Sequence, residues 1–124
     1  MIQEEGPGWR LARDSSRIHF PFMIGGDGWA IELTQDEWVS LQPLIGELID
    51  QHQKLENQLM PEESLCLEIE RSPWWVCLDG DKKYWSLQLI LEGGETFRGV
   101  ELYWPIPAAQ AFVAAMRTMW DSYQ

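Results

Sequence analysis

One helix constrains this chain more than any other feature. Thr34-Gln35-Asp36-Glu37 opens it: a threonine N-cap can accept from the amide three residues on while Glu37 reaches back, and the acids suit the positive end of the helix dipole. Beyond the cap, Trp38, Leu41, Ile45, Leu48, His52, Leu55 and Leu59 recur at gaps of three and four, which marks one face of a long amphipathic helix. Pro43 removes a donor and crowds the carbonyl four residues back, so the pattern predicts a kink, or a short helix followed by a longer one. A one-sided apolar face needs a partner. A coiled coil would have only about three heptads with a histidine in its seam, so the face is expected to pack against a sheet.

Strand patterns flank the helix on both sides. Trp9 to Asp14 alternates weakly, Ile18 to Ile24 alternates cleanly, and Trp29 to Leu33 reads as a third strand after the turn Gly25-Gly26-Asp27-Gly28. In Ile18–Ile24 the inward set is Ile18, Phe20, Phe22 and Ile24, and Pro21, which lacks a ladder donor, places that strand at an edge or an interruption. Pro61-Glu62-Glu63 ends the helix. Four more strands follow, Leu65–Glu70, Trp74–Leu78, Tyr84–Leu91 and Phe97–Trp104, joined by the turn residues Ser72-Pro73, Asp79-Gly80-Asp81 and Gly93-Gly94. Pro105 and Pro107 open a last helix from Ala108 to about Trp120, with Phe112, Ala115, Met116 and Met119 inward. The expected fold class is therefore α+β: bent antiparallel sheet packed on two helices, pseudo-duplicated as βββα then ββββα. Its 124 residues form a single domain with approximate halves 1–60 and 61–124.

Parity also fixes an expectation for the two cysteines. With Leu65, Leu67 and Ile69 inward on one strand and Trp74, Val76 and Leu78 inward on the next, a turn centred on Arg71-Ser72 sets Cys66 directly opposite Cys77 on the outer face, as free thiols, with a redox switch as the alternative.

Charge narrows the function. Twenty acids against nine bases give a net charge of −11, divided evenly between the halves, so there is neither a basic half nor an acidic tail. Such a field repels phosphates and keeps a protein soluble. No stretch reaches the ~20 apolar residues of a membrane span, and the acidic start Met1-Ile2-Gln3-Glu4-Glu5 has no signal-peptide character. The expected compartment is the cytoplasm, where Cys66 and Cys77 stay reduced. Eight tryptophans are expected to supply much of the core and its edges.

Catalytic chemistry is hard to assemble from this chain. The histidines are His19, mid-strand and solvated, and His52, at the helix–sheet seam; with Cys66 and Cys77 they lack the close paired spacing of a zinc site. Asp27-Gly28 and Asp79-Gly80-Asp81 do not continue into calcium loops, and Gly25-Gly26-Asp27-Gly28 precedes a strand rather than the helix a phosphate loop requires. The expectation is no enzyme, no catalytic residue, no metal and no cofactor.

Exposed aromatics on the outer sheet face are the feature that points to a ligand. With Trp74, Val76 and Leu78 inward, Trp75 points out, and Tyr84 and Tyr103 join it by alternation. Such rings stack bases or anchor proteins, unless a loop or helix covers them. Glu68, Glu70 and Glu101 share that face without Lys or Arg, which favours a protein partner over nucleic acid. The alternative is a single-stranded nucleic-acid-binding protein using the aromatic face with Arg10, Arg13 and Arg17 as a local basic patch. The residues specify neither the partner nor the oligomeric state.

Four segments together, Glu5-Gly6-Pro7-Gly8-Trp9-Arg10-Leu11, Trp29-Ala30-Ile31-Glu32-Leu33-Thr34, Leu59-Met60-Pro61-Glu62-Glu63 and Glu101-Leu102-Tyr103-Trp104-Pro105, resemble a small family of uncharacterised cyanobacterial proteins known only as a domain of unknown function. The resemblance covers nearly the whole chain. It implies a fold similar to the single-stranded-DNA-binding transcriptional regulators, such as the plant Whirly proteins, whose bent antiparallel sheets are backed by helices. It supplies no activity and no site residues, and those regulators use basic sheet surfaces, from which this chain departs in charge.

Overall fold

A computed structural model describes residues 1–94 and 98–123. Two antiparallel meanders alternate with two helices. The first sheet holds β1 (Ile2–Gly6), β2 (Trp9–Arg13), β3 (Phe22–Gly26) and β4 (Trp29–Leu33), and leads into α1 (Gln35–Glu56). The second holds β5 (Leu65–Arg71), β6 (Trp74–Gly80), β7 (Trp85–Leu91) and β8 (Val100–Trp104), and leads into α2 (Ala108–Tyr123). The α+β class and the repeated strands-then-helix order are those expected, and each half is ββββα. The expected start of the eighth strand at Phe97 lies outside the described residues.

The helices cross-pack. α1 lies on β5 and β6, strands of the other half, while α2 lies on β1 and β2 as well as β7. One cluster of buried side chains accordingly draws on both halves, from Leu11, Phe22, Ile24 and Leu33 to Trp74, Leu89, Trp104 and Phe112. Tryptophan stitches the halves together. The Nε1–H of Trp74 donates to the Glu37 carbonyl at 2.9 Å, that of Trp104 to the Gly25 carbonyl at 2.9 Å and that of Trp120 to the Trp38 carbonyl at 3.3 Å. Each donor belongs to the second half and each acceptor to the first. Trp38, stacked on Phe22 with ring centroids 4.6 Å apart, is the exception: its buried Nε1 has no acceptor among the described residues.

α1 begins as its cap dictates. Thr34 Oγ1 accepts from the Glu37 amide at 3.1 Å and Glu37 Oε1 accepts from the Thr34 amide at 2.8 Å. Trp38, Leu41, Ile45, Leu48 and His52 are buried as predicted, Leu44 joins them, and Leu55 and Leu59 are only half-buried toward the end of the helix and beyond it. The break expected at Pro43 is absent: α1 is one 22-residue helix. Val39 and Pro43 both face solvent, so water can hydrate the carbonyl the proline leaves without a donor.

Three strand expectations need correction. β1 was not expected; it is an edge strand whose residues Ile2 to Glu5 are all exposed, so no inward-outward alternation marks it. The strand drawn from Ile18 begins only at Phe22, and Ile18 is 89% exposed. Asp14 accepts from the Ser16 amide and hydroxyl and its own amide donates to the Pro21 carbonyl, so the chain turns where an extended strand was expected. The β5–β6 register is displaced by two residues: Leu67 faces Leu78, Ile69 faces Val76 and Arg71 faces Trp74. A turn centred on Arg71-Ser72 would have given Pro73 a place in the ladder opposite Glu70. Having no N–H, Pro73 instead sits in the two-residue loop with Ser72. Displacement by two preserves which side chains point inward.

Candidate functional site

The candidate site is the outer face of the second sheet. Alternation and register together build it. Inward positions on β5 to β8 carry Leu65, Leu67 and Ile69, then Trp74, Val76 and Leu78, then Trp85, Leu87, Leu89 and Leu91, then Val100, Leu102 and Trp104. The helices cover this side. The remaining positions form rows across the opposite face. Glu70, Trp75, Ile90 and Glu101 make one row, Glu68, Cys77, Gln88 and Tyr103 the next, and Cys66, Asp79 and Ser86 a third.

Trp75 and Ile90 are half-buried, and Tyr103 is 53% exposed. They form an apolar centre bordered by Glu68, Glu70, Asp79 and Glu101, and no outward position on these four strands carries Lys or Arg. Polar side chains tie the strands laterally: Gln88 donates to the Glu101 carboxylate and Ser86 Oγ donates to the Asp79 carbonyl at 3.2 Å.

Cys66 and Cys77 share this face and are not directly opposed. Cys66 faces Asp79 and Cys77 faces Glu68, so the expected direct pairing is corrected to a diagonal one. Their sulfurs lie 3.5 Å apart as free thiols. Burial, and after it the hydrogen bond with Cys66, pushes the Cys77 thiol up to about 12.

Of the residues singled out in the sequence, the structure brings Trp75 and Tyr103 to one surface. Tyr84 lies one residue ahead of β7, in the β6–β7 turn, and lines a cleft of about 420 Å³ with His52, Lys82, Lys83 and Gln110. The polar groups of that cleft hold the turn. His52 Nε2 donates to the Asp81 carbonyl at 3.0 Å, and Gln110 donates to the Lys83 carbonyl at 2.9 Å and accepts from the Trp85 amide at 3.3 Å. The Asp81 carboxylate accepts from the Lys83 and Tyr84 amides, both at 2.8 Å, and those bonds hold it below the usual carboxylate range.

The three arginines do not share one patch. Arg10 and Arg13 point to opposite faces of β2 by alternation, and the Arg10 guanidinium donates to the Trp29 carbonyl at 2.8 Å. Arg17 pairs with Glu32. Arg98 comes to the same place, donating to the Glu32 carbonyl and pairing with Glu37 at 2.7 Å. Arg71 pairs with Glu47 at 2.9 Å, while Lys82 and Lys83 sit at the cleft. Sequence reasoning missed Ile90. Alternation along β7 could have placed Ile90 outward; the contact of Arg98 with Glu37 spans 61 residues and leaves no local signal. His19 is exposed, and among the described residues no group of three or more His, Cys, Asp or Glu could hold a metal ion. No described helix is long and apolar enough to cross a membrane.

These features define an α+β protein of two four-stranded antiparallel meanders cross-packed by their helices, with an acidic, aromatic outer sheet face. Residues 4–119 match the family described as domain of unknown function (DUF1818), and the chain belongs to that family. It is also similar to a crystal structure of a protein of unknown function from Prochlorococcus sp. NATL2A, described as from the DUF155 family. That protein is 49% identical with a TM-score of 0.91, over 97% of this chain and 99% of the other. No curated protein matches the chain. The cyanobacterial resemblance drawn from the four sequence segments thus has a counterpart among solved structures, and neither comparison indicates a catalytic family.

Proposed function

We propose that this protein is a non-catalytic binding module that docks a basic segment of a protein partner on the outer face of its second sheet. One observation carries the reading: Trp75, Ile90 and Tyr103 sit together inside a border of Glu68, Glu70, Asp79 and Glu101, with no cation at any outward position of β5 to β8. Aromatic anchors supply much of the energy of protein interfaces, and acidic borders steer basic partners and reject acidic ones. The non-catalytic part rests on the histidines, since His19 is solvent-exposed and His52 is engaged with a backbone carbonyl.

Two four-stranded sheets each followed by a helix support a likeness in chain path to the Whirly-type regulators, and the charge argues against a shared ligand. Stacking contributes roughly 1–3 kcal/mol per base. Carboxylates directly beneath a phosphate chain lie within the ~8 Å screening length at 0.15 M salt and oppose it. Anisotropy titrations test the choice. A fluorescent peptide alternating Lys and Leu should bind, weaken with salt and lose affinity in Tyr103→Ala and in Glu70→Lys/Glu101→Lys, while labelled single-stranded DNA of equal length should not bind. Micromolar DNA binding with a steep salt dependence, alongside an inert peptide, would overturn the reading.

A further inference from the structure

We propose that Cys66 and Cys77 are a modification site: a dithiol that closes to a reversible intramolecular disulfide by exchange with a small neutral disulfide. This goes beyond the docking reading and does not depend on it. The two side chains lie on one face of adjacent antiparallel strands, offset by one row, and lean across the diagonal until their sulfurs are 3.5 Å apart. A disulfide needs ~2.05 Å, so closure asks for a contraction of ~1.5 Å. β5 is an edge strand whose one sheet neighbour is β6, so no second neighbour resists its shift toward β6.

Exposure sets the order of events. Cys66 is exposed and Cys77 buried. The Cys66 thiolate attacks one sulfur of the incoming disulfide; a bond forms to that sulfur, the reagent's S–S bond breaks, and a small thiolate leaves to take up the proton Cys66 released. Cys77 then gives its proton to water and attacks Cys66 Sγ, the mixed disulfide breaks, and the second small thiolate leaves and is protonated. Two protein thiols are oxidised and one small disulfide is reduced to two thiols, so no further oxidant is needed.

Charge selects the reagent. Cys77 faces Glu68 on β5 and has Asp79 on its own strand, while β7 presents the uncharged Ser86, Gln88 and Ile90 on that side. An anionic disulfide such as oxidised glutathione is disfavoured there relative to a neutral one. Burial holds the Cys77 thiol above its ordinary range, which makes closure the slow step, and closure should accelerate as pH rises, as its thiolate fraction does.

The test uses the reduced full-length chain and bis(2-hydroxyethyl) disulfide under native conditions, followed by intact-mass measurement and peptide mapping. Wild type should pass through a single adduct and finish two hydrogens lighter than the reduced protein, with Cys66 and Cys77 in one cross-linked peptide that dithiothreitol releases. Cys77→Ala should stall at the single adduct, Cys66→Ala should take up none, and oxidised glutathione should act more slowly on wild type. A wild-type chain that keeps a stable adduct without the cross-linked peptide, or that reacts only after denaturation, would overturn the proposal. Adduct formation by Cys66→Ala at the wild-type rate would overturn it equally.

Discussion

Two tryptophans in similar surroundings differ in the fate of one hydrogen atom, and that difference is measurable. Trp104 and Trp38 are both fully buried and both stacked on a phenylalanine, Trp104 on Phe112 at 4.2 Å and Trp38 on Phe22 at 4.6 Å. Trp104 donates to the buried Gly25 carbonyl, whereas the Trp38 Nε1–H has no acceptor among the described residues. Replacing either by Phe keeps an aromatic ring and leaves ~40 Å³ unfilled, about 1 kcal/mol at ~24 cal/mol per Å³. In Trp104→Phe the lost hydrogen bond and the stranded carbonyl add about 1–3 kcal/mol, for a total near 2–4 kcal/mol. In Trp38→Phe the substitution removes an unsatisfied donor, which offsets the cavity and leaves about 1 kcal/mol or less. Urea unfolding followed by far-UV circular dichroism, with the slopes checked for equality, reads both values. Equal losses, or a larger loss for Trp38→Phe, would show that the indole–carbonyl bonds do not stitch the halves together.

Leu48 is 1% exposed on the inner face of α1, so Leu48→Ala should cost about 2–5 kcal/mol in the same assay; a loss near zero would mean the wrong face of α1 had been assigned to the core. Because its folded-state pKa is depressed, Asp81 contributes stability that is present above the ordinary carboxylate pKa of ~3.9 and is lost as pH falls through the lower folded value. The gap between wild type and Asp81→Asn should therefore stay constant from pH 7 to about 5 and shrink below about 4. A gap that does not change with pH would show that the Lys83 and Tyr84 amides do not favour the charged form.

Local chemistry made much of the fold legible. The Thr34–Glu37 cap, the three-four spacing from Trp38 to His52 and the alternation of the second-half strands each follow from contacts within a few residues. Three features failed for identifiable reasons. Gln3-Glu4-Glu5 lies in an edge strand whose side chains from Ile2 to Glu5 are all exposed, so no burial pattern marks it. The Asp14–Ser16 turn overrode an apolar alternation from Ile18, and the position of Pro73 moved the β5–β6 register by two. Parity survives a shift of two, which is why the outward placement of Trp75 and Tyr103 held while the direct Cys66–Cys77 pairing did not. Tyr84 was assigned to a strand that starts one residue later, at Trp85. The contact of Arg10 with Trp29, and of Arg17 and Arg98 with Glu32, spans 15 to 66 residues, beyond the reach of any local pattern.

A two-dimensional ¹H–¹⁵N NMR titration of the full chain with the Lys-Leu peptide maps the docking surface residue by residue. Shifts should concentrate at Glu68, Glu70, Trp75, Gln88, Ile90, Glu101 and Tyr103, fade as salt is raised, and be absent with a Glu-Leu peptide of the same length. Shifts centred instead on the cleft of His52, Lys82 and Lys83 or on the Arg13–Arg17 segment, or equal shifts with both peptides, would contradict docking on the outer face of the second sheet.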